Sequence, residues 1–139
     1  MASAHPAGYS GTPLFKKLGI HEACRVLLLN APEAYEGLLA PLPPAVQFVS
    51  RPDSEVDVAQ VFVTQRDVLE KTLSVMRKSL KPSAALWVSW PKKSSKLAST
   101  VTEDTIRELA LPLGYVDVKV CAVTEVWSGL KLVLRKELR

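Results

Sequence analysis

The chain has 139 residues, of which 47% are apolar, and 18 Lys and Arg against 14 Asp and Glu give it a net charge of +4. These values are typical of one globular domain that folds without a disulfide or a metal. Cys24 and Cys121 are too far apart in sequence for a C-x-x-C redox pair, and we expect a reduced, cytoplasmic protein. No leader pattern and no run of about 20 apolar residues is present, so we expect neither secretion nor membrane insertion.

The positive charge is concentrated in the second half of the chain. Residues 1–69 have 5 basic and 7 acidic side chains, whereas residues 70–139 have 13 and 7. Residues 71–96 contain seven basic side chains and no acidic one. A helix followed by a strand of about 20 Å would place residues 77–81 and 92–96 at opposite edges of a sheet. A continuous phosphate-tracking groove is therefore disfavoured, and we expect no nucleic-acid binding.

The first elements follow a predicted flexible tail at residues 1–8, and residues 9–139 form the single predicted domain. Thr12 as N-cap, Pro13 at the first helical position and Gly19 as C-cap predict a short helix. Residues 9–11 before it would either fold over the site as a lid or anchor the tail.

A nearly unbroken apolar run at residues 24–29 predicts a strand covered on both faces. Pro32 opens a helix that would bury the apolar side chains Tyr35, Leu38 and Leu39.

Two further strands are predicted at residues 45–49 and 58–63. Only residues 50–57 connect them, which is short for a parallel crossover, although about 27 Å of extended chain would suffice. A parallel arrangement and an antiparallel pair both stay open.

The next helix has a capping-box pattern at Thr64 and Asp67, followed by an apolar stripe of Leu69, Leu73, Met76 and Leu80. A buried strand is predicted at residues 84–90. A second helical stripe follows at Ile106, Leu109, Ala110 and Leu113, with Glu103 and Asp104 at its positive end.

From residue 116 the pattern alternates, which predicts Val118, Val120 and Ala122 on one face of a strand and Asp117, Lys119 and Cys121 on the other. A turn at residues 127–129 leads into a last strand at 130–134. The alternating strand has either one solvent-facing side or a face used in a homodimer. Together these elements predict an α/β protein, a three-layer Rossmann-like domain with a mainly parallel sheet of about six strands and a C-terminal antiparallel hairpin.

Several sequence motifs are similar to those of a family of small bacterial proteins that forms a domain of unknown function. They are Tyr-Ser-Gly-Thr-Pro-Leu at residues 9–14, Trp-Pro-Lys-Lys at 90–93, Val-Asp-Val-Lys-Val-Cys-Ala at 116–122 and Trp-Ser-Gly-Leu-Lys-Leu-Val at 127–133. The resemblance covers nearly the whole chain, and it implies no reaction, cofactor or catalytic residue.

The order of elements also resembles a shortened S-adenosylmethionine-dependent methyltransferase fold. Such a cofactor is normally held by closely spaced glycines after the first strand and by a carboxylate that ends the second. This chain has residues 30–34, Asn-Ala-Pro-Glu-Ala, in the first place and Ser50-Arg51 in the second. We therefore expect no cofactor, and a divergent methyltransferase is kept as the alternative function.

The ligand site is predicted at the carboxyl ends of the strands, where the loops of an open α/β sheet diverge. The candidate binding residues there are Asn30, Arg51, Thr64, Trp90, Lys92, Lys93, Trp127 and Ser128. Two indoles and several cations suit a small anionic ligand, although the indoles could instead cap the core and the lysines could simply be solvated.

The residue types of hydrolytic and metal sites are scarce. His5 and His21 lie in the tail and a loop, Cys24 and Cys121 fall in strand patterns, and no nucleophile-elbow, Walker or H-E-x-x-H motif occurs. We expect no catalytic residue and no metal. The prediction is a binding domain, leaning away from an enzyme, for a small anionic ligand or a protein partner.

Overall fold

The computed structural model describes residues 11–139. The predicted tail and most of the Tyr9–Gly11 lid or anchor lie outside these residues. The described helices are α1 (Leu14–Lys17), α2 (Tyr35–Leu39), α3 (Arg66–Ser79) and α4 (Glu103–Ala110), and short 3₁₀ turns occur at Leu111–Leu113 and Lys136–Leu138. The strands are β1 (Arg25–Leu29), β2 (Gln47–Val49), β3 (Val58–Phe62), β4 (Ala85–Pro91), β5 (Tyr115–Ala122) and β6 (Trp127–Leu134).

All six strands belong to one sheet with the order β2-β1-β3-β4-β6-β5. The first four run parallel, and β6 is inserted antiparallel between β4 and β5. This confirms the predicted fold class. Strands β2 and β3 lie on either side of β1 and point the same way, so the parallel arrangement is correct and an antiparallel pair there is wrong.

The sheet is covered by helices on both faces, which gives three layers. On one face, here called the α3 face, Leu69 and Leu73 of α3 and Ile106 of α4 pack on the larger buried cluster. On the other, the α1 face, Leu18 and Tyr35 pack with Trp87 in a smaller cluster. Each fully buried aliphatic side chain contributes about 1.5–3 kcal/mol to the hydrophobic stabilisation.

The helix ends differ from the predicted caps. Pro13, rather than Thr12, is the N-cap of α1, although Gly19 does take the left-handed conformation (φ 83°). The N-cap residue of α3, Gln65, makes no side-chain hydrogen bond to the helix. Instead, the Arg66 N–H in the first turn donates to the hydroxyl of Thr100, at 2.8 Å. The predicted Thr64 capping box is therefore wrong, since a distant loop supplies the acceptor.

Two side-chain placements also differ from the predicted ones. Helix α4 begins with a reciprocal capping box between Thr102 and Thr105, which the sequence analysis missed. Leu38 is 45% exposed, because the five-residue α2 turns only Tyr35 and Leu39 towards the sheet.

Strand β5 does not keep the predicted alternation, because its register with β6 shifts between Asp117 and Lys119. The extra residue, Val118, puts Asp117 on the α3 face, opposite Leu132, and leaves Lys119 on the α1 face. The prediction that Asp117 and Lys119 share a face is therefore wrong. A bulge and a lysine are features that protect an edge strand from pairing with another chain.

Candidate functional site

The predicted ligand residues lie at the carboxyl edge of the sheet, and they divide between two pockets. Asn30, Thr64 and Trp127 line one pocket, and Trp90 and Lys93 line another. The other three predicted residues line neither pocket: Arg51 follows β2, the Lys92 N–H donates to the Val126 carbonyl at 2.8 Å, and Ser128 sits in β6 opposite Trp90. The three cations of the predicted anion site are thus not brought together in either pocket.

The first pocket lies between the carboxyl ends of β1 and β3, and we call it the switch pocket. Strand β1 has β2 on one side and β3 on the other, so the strand order reverses at this point of the sheet. Open α/β sheets bind their ligands at such a topological switch point. The pocket has a volume of about 230 Å³ and is lined by Asn30, Phe62, Val63, Thr64, Gln65, Val68 and Trp127.

One wall of the switch pocket is aromatic. The Phe62 ring meets Trp127 edge to face at a centroid distance of 5.1 Å, and Tyr35 meets Phe62 in the same way at 5.0 Å. The hairpin holds Trp127 by its backbone, since its N–H donates to the Thr124 hydroxyl and its carbonyl accepts from the N–H groups of Val123 and Thr124. The β5–β6 turn therefore positions the Trp127 indole in this wall of the pocket.

The other lining side chains of the switch pocket are polar without charge. Asn30 and Gln65 each offer an amide that can donate and accept, and Thr64 offers a hydroxyl. None of the side chains that line the pocket is ionisable. Such a lining suits a ring with hydrogen-bonding edges better than it suits an anion.

The second pocket, here called the α4 pocket, has a volume of about 470 Å³ between the end of β4 and the start of α4. Lys93, Glu103 and Asp104 are among the residues that line it. Its other cation, Arg107, donates to Glu103, to Asp104 at 3.2 Å and to Asp117 at 2.9 Å. These hydrogen bonds raise the pKa of Arg107, the one to Asp117 most and the one to Glu103 next. The two cations and two carboxylates of the lining cancel in formal charge, so this pocket offers no net positive charge to an anion.

Trp90 is a core residue rather than an open binding surface. Its side chain is 8% exposed and belongs to the buried cluster of the α3 face. The core-capping interpretation is therefore correct for this indole, whereas Trp127 both packs on the core and lines a pocket.

The loop after β1 contains no glycine, yet part of its backbone has the shape that glycine usually provides. Asn30 and Ala34 both have positive φ angles, of 59° and 65°. Ala34 has no side-chain group that compensates for this conformation, which normally costs an L residue about 1 kcal/mol or more. Pro32 between them lacks an N–H, so the loop offers fewer donors than a glycine-rich one.

The end of β2 has no carboxylate directed towards the carboxyl edge. Asp53 lies close to this end in sequence, but its carboxylate is paired with Arg25, the first residue of β1, at 2.7 Å. This places Asp53 at the amino edge. A hydrogen bond from Arg25 lowers the pKa of Asp53 and keeps it charged.

The described residues hold no group of three or more potential metal ligands among His, Cys, Asp and Glu. His21 is exposed and its ring contacts the Glu22 carbonyl, while Cys24 is buried. Burial raises the pKa of both cysteine thiols. No helix formed by residues 11–139 is long and apolar enough to cross a membrane.

The fold is similar to that of Rossmann-like methyltransferases. A SAM-dependent methyltransferase from Aquifex aeolicus superposes with a TM-score of 0.61 and 15% identity, over 88% of each chain. A putative type 11 methyltransferase from Sulfolobus solfataricus gives 0.57 and 14%, over 81% of this chain and 85% of that one. A DhpI–SAH complex gives 0.58 and 13%, over 89% and 83%. No protein-family profile and no curated protein matches the sequence, so the resemblance to a bacterial family of unknown function stays a prediction.

The residues at the carboxyl edge do not fit S-adenosylmethionine held in the usual way. The loop after β1 has Pro32 where the cofactor needs close backbone donors, and Asp53 is turned to the opposite edge of the sheet. The switch pocket is also smaller than the 300–1,000 Å³, roughly, of ordinary ligand pockets. What fits the residues present is a single ring.

Proposed function

We propose that the protein is a binding domain on a methyltransferase-like fold, and that its switch pocket takes the uncharged, planar ring of a nucleoside-type ligand. The lining carries this proposal: an aromatic wall of Phe62 and Trp127 faces the amide and hydroxyl groups of Asn30, Thr64 and Gln65, with no ionisable group. An aromatic edge stabilises a planar ring by about 0.5–1.5 kcal/mol beyond its buried area, and each amide hydrogen bond adds about 1 kcal/mol.

The volume limits how much of the ligand is held. A pocket of about 230 Å³ takes a ring, so sugar and phosphate groups would extend into solvent. We therefore expect weak binding, with dissociation constants near millimolar for a free nucleoside, which corresponds to about −4 kcal/mol.

Methyl transfer is the second candidate function, and the fold favours it over simple anion binding, since similar structures include SAM-dependent methyltransferases. Because one fold is shared by proteins with many activities, the residues of the site, and not the fold, determine which activity is present.

The proposed function is tested by titrating adenosine, S-adenosylmethionine and ATP while following tryptophan fluorescence and, independently, isothermal heats. We expect all three to bind with affinities within about threefold of one another, because only the ring is recognised. Thr64→Val keeps the side-chain shape and removes the hydroxyl, and it should weaken each ligand about fivefold. Trp127→Phe should remove most of the fluorescence change.

A matched control is the double variant Lys92→Ala/Lys93→Ala, which removes the predicted cationic residues without touching the switch pocket. It should bind adenosine like the wild type. No binding of adenosine at 10 mM, or loss of binding in this control, would contradict the proposal. Binding of S-adenosylmethionine more than tenfold tighter than adenosine would favour the methyltransferase candidate, and methylation of added acceptors would then be measured.

A further inference from the structure

Two lysines face each other on the α1 face of the C-terminal hairpin, away from both pockets. Lys119 of β5 lies directly opposite Lys131 of β6 in the antiparallel register. Opposed residues on adjacent strands point to the same side of a sheet with Cβ atoms about 5 Å apart, and like charges in these positions are destabilising. We therefore expect this pair of like charges to lower the free energy of unfolding of the ligand-free protein.

The ammonium group of Lys119 lies near the indole ring of Trp87. Lys131 is opposite Trp87 on the next strand, and the Lys119 ammonium lies 6.0 Å from the centre of the Trp87 ring. The ring is fully buried, and its Nε1–H donates to the Leu18 carbonyl at 3.0 Å. A cation held near an indole is stabilised by the ring quadrupole. Lys119 thus reaches over β6 towards Trp87, which lies on the strand beyond Lys131.

No carboxylate balances the opposed pair. Neither Lys119 nor Lys131 forms an ion pair with an acidic side chain of residues 11–139. The one acidic residue of β5, Asp117, is turned to the α3 face by the bulge, where Arg107 binds it. The bulge thus separates the strand's carboxylate from its lysine.

We propose that Lys119 and Lys131 form an anion site on the α1 face that binds the phosphate group of a small ligand. A tetrahedral dianion placed between the opposed ammonium groups would convert their repulsion into two charge-assisted hydrogen bonds. The site is distinct from the switch pocket, and it does not depend on the function proposed for that pocket.

The test uses pyrophosphate as the probe, with chloride of equal ionic strength as the reference, and measures thermal unfolding. For a dissociation constant near 2 mM, 20 mM pyrophosphate should raise the melting temperature by about 5 °C over chloride. Lys119→Met/Lys131→Met should abolish this difference. Lys92→Met/Lys93→Met, which removes the same charge from the carboxyl edge, should leave it unchanged.

A second measurement uses no ligand. In low salt, Lys131→Met should melt at a higher temperature than the wild type, and the advantage should shrink in 0.5 M NaCl because salt screens the repulsion. The proposal is overturned if pyrophosphate acts no better than chloride or acts equally on the Lys119→Met/Lys131→Met variant. It is also overturned if only polyglutamate, a macromolecular polyanion, binds.

Discussion

The hydrogen bond between Tyr35 and Gln60 links the α1-face helices to the centre of the sheet. The Tyr35 hydroxyl donates to the Gln60 Oε1 at 2.7 Å, and both side chains are at most 2% exposed. The Gln60 Nε2 has no partner. Tyr35→Phe keeps the ring against Phe62 and removes the donor, which leaves the whole Gln60 amide unpaired. We expect a loss of about 1–3 kcal/mol in the free energy of unfolding.

Substitution of the partner residue, Gln60, has a different expected result. Gln60→Leu leaves the Tyr35 hydroxyl without a partner, but it also removes the unpartnered Nε2, so the two effects roughly cancel. The double variant Tyr35→Phe/Gln60→Leu removes all of these polar groups together. It should be at least as stable as the wild type, because replacing both partners of a buried hydrogen bond by apolar groups can be nearly neutral. The coupling energy of the cycle is then about 1–3 kcal/mol.

Urea unfolding followed by far-UV circular dichroism measures the cycle, and thermal unfolding checks it. At about 4 °C per kcal/mol for a domain of this size, Tyr35→Phe should melt about 4–12 °C below the wild type. Equal stability of Tyr35→Phe and wild type, or single effects that add within about 0.5 kcal/mol, would refute the reasoning.

Three further predictions concern packing, pH and helix capping. Gly129→Ala should cost about 1–3 kcal/mol in urea unfolding, because its Cβ would lie 2.9 Å from the Val123 Cγ2; an unchanged midpoint contradicts this. Burial raises the pKa of Tyr35 above its usual value, so the unfolded chain ionises first and the stabilising contribution falls as pH rises above 10. Stability measured between pH 8 and 11 should fall less in Tyr35→Phe, and parallel curves would count against this. Thr102→Val removes the α4 cap and should cost about 1 kcal/mol by thermal unfolding, and an unchanged melting temperature would contradict this.

Part of the candidate site could be predicted from the sequence. The strand-end rule identified Asn30, Thr64 and Trp127, which line the switch pocket together. It missed Phe62 and Gln65, although both flank Thr64 within three residues. A search for aromatic and amide residues next to each strand end would have found them. The charges were not predictable in this way, because Arg107 pairs with carboxylates that come from both α4 and β5.

The local pattern by itself determined the fold class and most of the strands and helices, although the turn predicted at residues 127–129 is wrong because these residues begin β6. Continuous apolar runs mark strands that are buried on both faces, and helical spacing marks the stripes of α3 and α4, since both signals depend only on neighbouring residues. Tertiary structure alone decided the sheet order, the Thr100 cap on α3 and the bulge that sends Asp117 and Lys119 to opposite faces. These features depend on contacts between residues far apart in the chain, and no local pattern encodes which strand or loop a residue will meet.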